Sequence, residues 1–146
     1  MAAGADERNA ATVAEHLVLA NLSGVDTHGV WHLKGYVDAI ADGLIVPTAW
    51  PEVMSTIGNS ARVTGHWTFG QSAALFAMQQ CIDMAEARDM ACVSLVQAHH
   101  IGRLGHYAEM AAARGMIGMV WAGGYGEEAP AAVPYLSLIH ISEPTS

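Results

Sequence analysis

Histidine stands beside glycine in two short windows of this chain. One is Val25-Asp26-Thr27-His28-Gly29-Val30-Trp31-His32-Leu33-Lys34-Gly35-Tyr36, and the other is Ala98-His99-His100-Ile101-Gly102-Arg103-Leu104-Gly105-His106-Tyr107-Ala108. Five of the eight histidines fall in these windows. Imidazole titrates near neutral pH and is the usual proton carrier of enzymes. Glycine lets backbone turn tightly or lie against a ligand. The combination points to proton transfer at turns. For His28 two readings stand level: a loop histidine capping the neighbouring helix, or a general acid oriented by Thr27 or Asp26. His100, ahead of Gly102 and a helix start, either bonds to backbone at a strand end or acts on a ligand whose negative charge faces the helix amides. Neighbours on extended backbone point to opposite sides, so only one of His99 and His100 faces a given pocket. His100 is the choice because it lies nearer the turn.

Other chemistries are poorly supplied. There is no Cys-x-x-Cys and no helical His-x-x-x-His accompanied by Glu, so no metal is expected. Gly102 to Gly105 and Gly65 to Gly70 are neither a dinucleotide fingerprint nor a phosphate-binding loop. Cys81 and Cys92 read as small core residues, Trp67 and Phe69 as core aromatics, and Met78, Met84, Met90, Met110, Met116 and Met119 as core filler.

The elements that must position the histidines follow from spacing. Residues 10–23 read as a helix stopped by Gly24, and Leu33 to Asp42 as a second helix ended by Gly43, with the His28 motif in the connection. Glu52 to Ile57 and Ala61 to His66 read as strands joined by Gly58-Asn59-Ser60. Gln71 to Arg88 is a strong helix with Ala74, Leu75, Met78, Ile82 and Ala85 along one stripe. Ala91 to Val96 is a strand, and Arg103 to Arg114 a helix with Leu104, Ala108 and Ala111 inward and Gly115 as cap. Met116 to Ala122 is read as another buried strand. The class is therefore α/β: N-terminal helices followed by a mixed sheet in βαβαβ order. Ligands of open parallel sheets bind beyond the carboxyl ends of strands, where His99-His100, Gly123-Gly124 and Gly65 to Gly70 all fall.

Composition narrows the partners. The 146 residues suffice for one core, and with 52% hydrophobic and 14% charged residues disorder is not expected outside the ends. A net charge of −8 without a basic patch argues against nucleic acid and anionic membranes. An anionic substrate must use Arg8, Lys34, Arg62, Arg88, Arg103 or Arg114. Two cysteines without framework spacing fit a reducing cytoplasm, the apolar runs are too short to span a bilayer, and Met1 to Ala11 lacks the pattern of a signal peptide. Residues 136–146 break the preceding pattern and resemble a translated sequencing adapter. The expectation is a native segment over residues 1–135, incomplete, followed by a non-native tail.

Taken together, Leu-Ala-Asn-Leu-Ser-Gly-Val-Asp-Thr-His-Gly-Val-Trp-His-Leu-x-Gly-Tyr, then Gly-His-Trp-x-Phe-Gly-Gln, then His-His-Ile-Gly-Arg-Leu-Gly-x-Tyr-Ala followed by Gly-Met-Ile-Gly, resemble the malate/L-lactate dehydrogenase family. This family of NAD(P)-dependent oxidoreductases is unrelated in fold to the Rossmann lactate dehydrogenases and includes sulfolactate, ureidoglycolate and cyclic-imine enzymes. The resemblance runs from about Ala10 to Tyr135 and implies the N-terminal part of a longer, homodimeric enzyme. That enzyme would move hydride between NAD or NADP and a 2-hydroxy or 2-keto acid, or a related imine acid. His28 matches a proposed proton donor, with Thr27 in place of the orienting serine, and His100 matches a histidine assigned as catalytic base in some members. Tyr36 matches a pocket tyrosine, and Gly123 and Gly124 fall where cofactor contacts begin.

One position departs from the pattern. Where the family usually has arginine, as in Gly-Val-Trp-Arg-Leu, this chain has His32. That arginine is expected to hold the substrate carboxylate; histidine offers neither its permanent charge nor its planar fork. Arg103 is the best stand-in by position. The competing reading is a small α/β segment that binds a small molecule without chemistry.

Overall fold

Asp6 starts the first helix: its carboxylate accepts the Asn9 N–H at 2.7 Å, the ordinary way to satisfy an orphan donor at a helix start. In the computed structural model, which describes residues 3–123, this helix is α1, Glu7–Leu22. It begins three residues before the spacing of apolar residues indicates, because a cap acts ahead of the apolar stripe. Val13, His16, Leu17 and Ala20 form its buried face, and Gly24 ends it in the left-handed region at φ +72°. Two single 3₁₀ turns, Asp26–His28 and Val30–His32, lead into α2, Leu33–Ala41. Tyr36 and Ala39 of α2 join Val13, Leu17, Ile45 and Phe69 in an apolar core.

The sheet has three strands in the order β1 (Glu52–Ile57), β2 (Ser60–Thr64), β3 (Cys92–Val96). β1 and β2 form an antiparallel hairpin with a register irregularity between Val53 and Ser55. β2 and β3 are parallel, from Ser60 opposite Cys92 to Thr64 opposite Val96. Parallel neighbours require a crossover, here α3, Gly70–Arg88. Its buried face is carried by Ala73, Ala74, Ala77 and Ile82, so the helix lies close to the sheet. The last described helix is α4, Gly105–Ala112.

Several expectations change. β2 ends at Thr64 rather than His66, because His66 and Trp67 take left-handed φ values of 49° and 59° and turn the chain toward α3. Tyr107, not Leu104, fills the inner face of α4. Cys92, Trp67, Met90 and Met119 are exposed rather than core residues. Met116 to Ala122 forms no strand ladder among the described residues. It keeps the alternation of a strand, with Ile117, Met119 and Trp121 outward and Gly118 set against Ala108 and Ala111 of α4. A ladder needs hydrogen bonds from a second segment, and this segment makes none with β1, β2 or β3. The described order is thus ββαβα, with an extended segment where the final strand is expected. Gly124 and residues 136–146 lie outside the described residues.

Candidate active site

The carboxyl ends of β2 and β3 lie side by side, because the strands are parallel and in register. Both turns beyond them are close-packed. Gly65 faces the Gln97 carbonyl at 2.7 Å from where a Cβ would stand, and a Cβ on Gly70 would strike the carbonyl oxygens of His99 and His100. Glycine is required here for close approach rather than for a special φ. The start of α3 is thereby locked against the loop that carries His100.

From the other side, α1 and α2 deliver the His28 loop. Asn21 donates from Nδ2 to Asp26 and accepts the Val30 N–H at Oδ1, 2.9 Å, while Gly29 packs against its amide. Thr27 Oγ1 lies 3.0 Å from His28 Nδ1. His32 Nε2 lies 2.7 Å from the Thr27 carbonyl, which only accepts, so that nitrogen carries a proton. Residues distant in sequence then converge. The His100 ring lies 4.5 Å from His32 and 5.5 Å from His28, centroid to centroid, and His32 stacks on Tyr36 at 5.8 Å. Tyr36 Oη is 2.8 Å from His100 Nδ1 and accepts from Gln71 Nε2 at 2.6 Å.

A second layer lies behind. The buried His16 of α1 accepts the Arg103 N–H at Nε2, 3.0 Å, and packs against His106 and Tyr107 at 4.9 and 5.5 Å. Gly102, at φ +73°, leaves room for that imidazole. His99 presents its ring edge-on to Tyr36 at 6.2 Å, with Nδ1 buried and unpartnered among the described residues.

Burial and mutual repulsion lower His16, His28, His99, His100 and His106 below the ordinary imidazole range. Burial first, then His32, His28, His99 and His16, lowers His100 to about 4. Burial, then His106, Arg103 and His28, lowers His16 to about 4. Burial and His32 lower His28, burial lowers His99, and burial followed by Arg103 lowers His106. Burial also raises Tyr36, against the Gln71 hydrogen bond.

Fixed positive charge is elsewhere or already matched. Arg103 makes two hydrogen bonds to Glu109, at 2.9 and 2.6 Å, which weighs against its standing in for a carboxylate clamp. Arg8 stacks on Trp50, Lys34 pairs with Asp38, and Arg114 with Glu86. Among the described residues no group of three His, Cys, Asp or Glu side chains is arranged to hold a metal. Two hollows, one on α1 beside Val18 and Leu22 and one between the hairpin and the end of α3, do not touch the histidines. A Cβ on Gly123 would meet nothing within 4 Å among the described residues.

The structure thus brings together Thr27, His28, His32, Tyr36 and His100. Sequence reasoning missed Gln71 and His16. Gln71 ends the Gly-His-Trp-x-Phe-Gly-Gln motif. His16 is a polar residue on the apolar stripe of α1, which was the available signal.

Fold and site together define an α/β protein with a histidine-lined site beyond the ends of parallel strands. Comparison with known proteins places it further. The model of the malate/L-lactate dehydrogenase family matches residues 1–137, and the chain belongs to that family. Hydroxycarboxylate dehydrogenase B of Escherichia coli K12 is 37% identical over 114 residues, 78% of this chain and 32% of the relative. Malate dehydrogenase of Pyrococcus abyssi is 36% identical over 116 residues, 80% of this chain and 32% of the relative. Among solved structures, malate dehydrogenase from Pyrococcus horikoshii OT3 superposes with a TM-score of 0.73 at 34% identity, over 77% of this chain and 32% of that one. Sulfolactate dehydrogenase from Methanocaldococcus jannaschii gives 0.74 at 28% identity, over 77% and 33%. The chain spans about a third of the length of these relatives.

Proposed function

We propose that this chain supplies the proton-handling half of an NAD(P)-dependent oxidoreductase acting on a 2-hydroxy or 2-keto acid, or a related imine acid. The observation that carries this reading is the convergence of His28, His32 and His100 on Tyr36 beyond the ends of parallel strands. Ring nitrogens and a phenol suit hydrogen bonds to a carbonyl or hydroxyl oxygen and the movement of one proton. His28, with Thr27 on its Nδ1, is the proton carrier. A nicotinamide cofactor, NAD or NADP, supplies the hydride when bound. Its backbone contacts are assigned to Gly123, where a Cβ would meet nothing within 4 Å among the described residues, and to Gly124. His32 and Tyr36 are assigned to the substrate, with Arg103 a weaker candidate because Glu109 engages its guanidinium.

Residues 1–135 are read as the dehydrogenase segment and 136–146 as a non-native tail. A homodimer is the assembly we infer for the whole enzyme, consistent with the exposed Leu22, Trp31 and Leu33. A reducing cytoplasm is inferred from the unpaired Cys81 and Cys92; no described helix is long and apolar enough to cross a membrane. The test is oxidation of NADH and NADPH by a full-length protein carrying this segment, against a panel of 2-keto acids and cyclic imine acids. Substrate-dependent oxidation is expected with at least one; none across the panel would overturn the reading.

A further inference from the structure

Gln71 lies outside every role assigned so far, yet it is completely buried and its amide reaches the site. Its Nε2 donates to Tyr36 Oη at 2.6 Å, and Tyr36 Oη stands 2.8 Å from His100 Nδ1. A phenol has one proton. Its oxygen accepts from Gln71, and among the described residues the one acceptor within reach of that proton is His100 Nδ1, which is then the bare nitrogen of the ring. A neutral imidazole with a bare Nδ1 carries its proton on Nε2. His100 Nε2 has no hydrogen-bond partner among the described residues, and the rings of His28 and His32 lie alongside.

We propose that Gln71 is a positioning residue which, through Tyr36, holds His100 as a neutral donor at Nε2, so that His100 polarises the substrate oxygen and leaves proton transfer to His28. The chemical role rests on the reading under Proposed function. As the keto carbon accepts hydride, a C–H bond forms and the carbonyl π pair moves to oxygen. His100 Nε2–H hydrogen-bonds that oxygen throughout and keeps its proton. The proton that completes the hydroxyl comes from the protonated form of His28, which is left neutral. A neutral imidazole serves well as such a donor because it does not have to be charged at neutral pH. The surroundings favour neutrality: His28 and His32 from the loop between α1 and α2, His16 from α1 and the adjacent His99 all repel a charge on His100, Tyr36 adds no charge, and among the described residues no carboxylate bonds to the ring. If His100 were instead the base for alcohol oxidation, its Nε2 would have to be bare. That requires the opposite order of donors along Gln71, Tyr36 and His100.

The order is readable without turnover. Long-range proton–nitrogen NMR on the ¹⁵N-labelled chain at neutral pH reports which ring nitrogen carries the proton, with His100→Gln supplying the assignment. The expected result is Nε2–H for His100. In Gln71→Glu the carboxylate takes the phenol proton, Tyr36 Oη accepts from Nδ1–H, and the tautomer reverses. In Tyr36→Phe the hydrogen bond is gone and the tautomer ratio relaxes by about five-fold, the worth of one ordinary hydrogen bond. Wild-type His100 protonated mainly on Nδ1 overturns the proposal. So does a Tyr36→Phe spectrum with the wild-type tautomer ratio, which decides the matter even if Gln71→Glu does not fold. Because no turnover is involved, absence of dehydrogenase activity in the full-length protein counts against the functional reading alone and leaves the tautomer result standing.

Discussion

Acid should weaken this fold through His16, and by an amount the structure sets. The imidazole is only 2% exposed, its Nε2 accepts the Arg103 N–H at 3.0 Å, and its Nδ1 is buried without a partner among the described residues. Protonation puts a second donor at Nε2, opposite an N–H, and buries a charge beside His106 and Arg103. The group is accordingly lowered from 6.5 to about 4. In the unfolded chain it binds a proton near 6.5; in the folded chain it does so only near 4. Between these values the unfolded state carries more protons, so stability falls as pH falls, and the whole contribution is lost below about 4. At about 1.4 kcal/mol per pH unit the limit is about 3.5 kcal/mol, reduced by solvent screening to about 2 kcal/mol. That is a visible share of a typical stability of ~5–15 kcal/mol. The assay is urea unfolding across the window from pH 6.5 to about 4, for the wild type and for His16→Gln. The glutamine carbonyl reaches the place of Nε2, accepts the Arg103 N–H and does not titrate. Wild type should lose about 2 kcal/mol more than the variant across the window, the comparison cancelling His100 and the other groups. Parallel pH profiles, or a wild type more stable at the acid end, would refute the reasoning.

Three further outcomes are expected. Gly70→Ala, whose new methyl would strike the His99 and His100 carbonyls, should lower stability by roughly 2 kcal/mol or more and shift the His100 ring resonances; an unaltered melting curve and spectrum would contradict the close packing. In a full-length protein, His28→Ala and His100→Ala should each reduce turnover by ~10²–10⁴-fold with smaller effects on cofactor binding, and wild-type rates in both across pH would remove them from the site. His32→Arg in the same protein should lower the Michaelis constant for 2-keto acids by about one to two decades, since a charge-assisted hydrogen bond contributes roughly 1.5–3 kcal/mol; unchanged values for every keto acid tried would place His32 away from the carboxylate.

The local elements were legible because their determinants are local. A helix is written in contacts three and four residues apart and in glycines just beyond its end. α1, α2, α3 and the β1–β2 hairpin therefore fall within a few residues of where spacing puts them. Errors came where a boundary depends on something outside that window. The Asp6 cap lies ahead of the apolar stripe, and His66 and Trp67 turn the chain inside what reads as strand. Met116 to Ala122 has the alternation of a strand, but a strand is completed by its neighbour's hydrogen bonds.

The sequence by itself determined that histidines cluster at turns, and that one such turn follows a strand while another links two helices. Only the tertiary structure decided that these turns meet, since Tyr36 and His100 are 64 residues apart and are joined through the packing of α2 against the loop after β3. It also decided that Gln71 and His16 belong with them, that Glu109 occupies Arg103, and which nitrogen of His32 bears a proton. The physical reason is that hydrogen-bond direction and desolvation depend on which groups lie within about 3 Å and on how much water is excluded. Long-range packing sets both, and no short stretch of sequence carries that information.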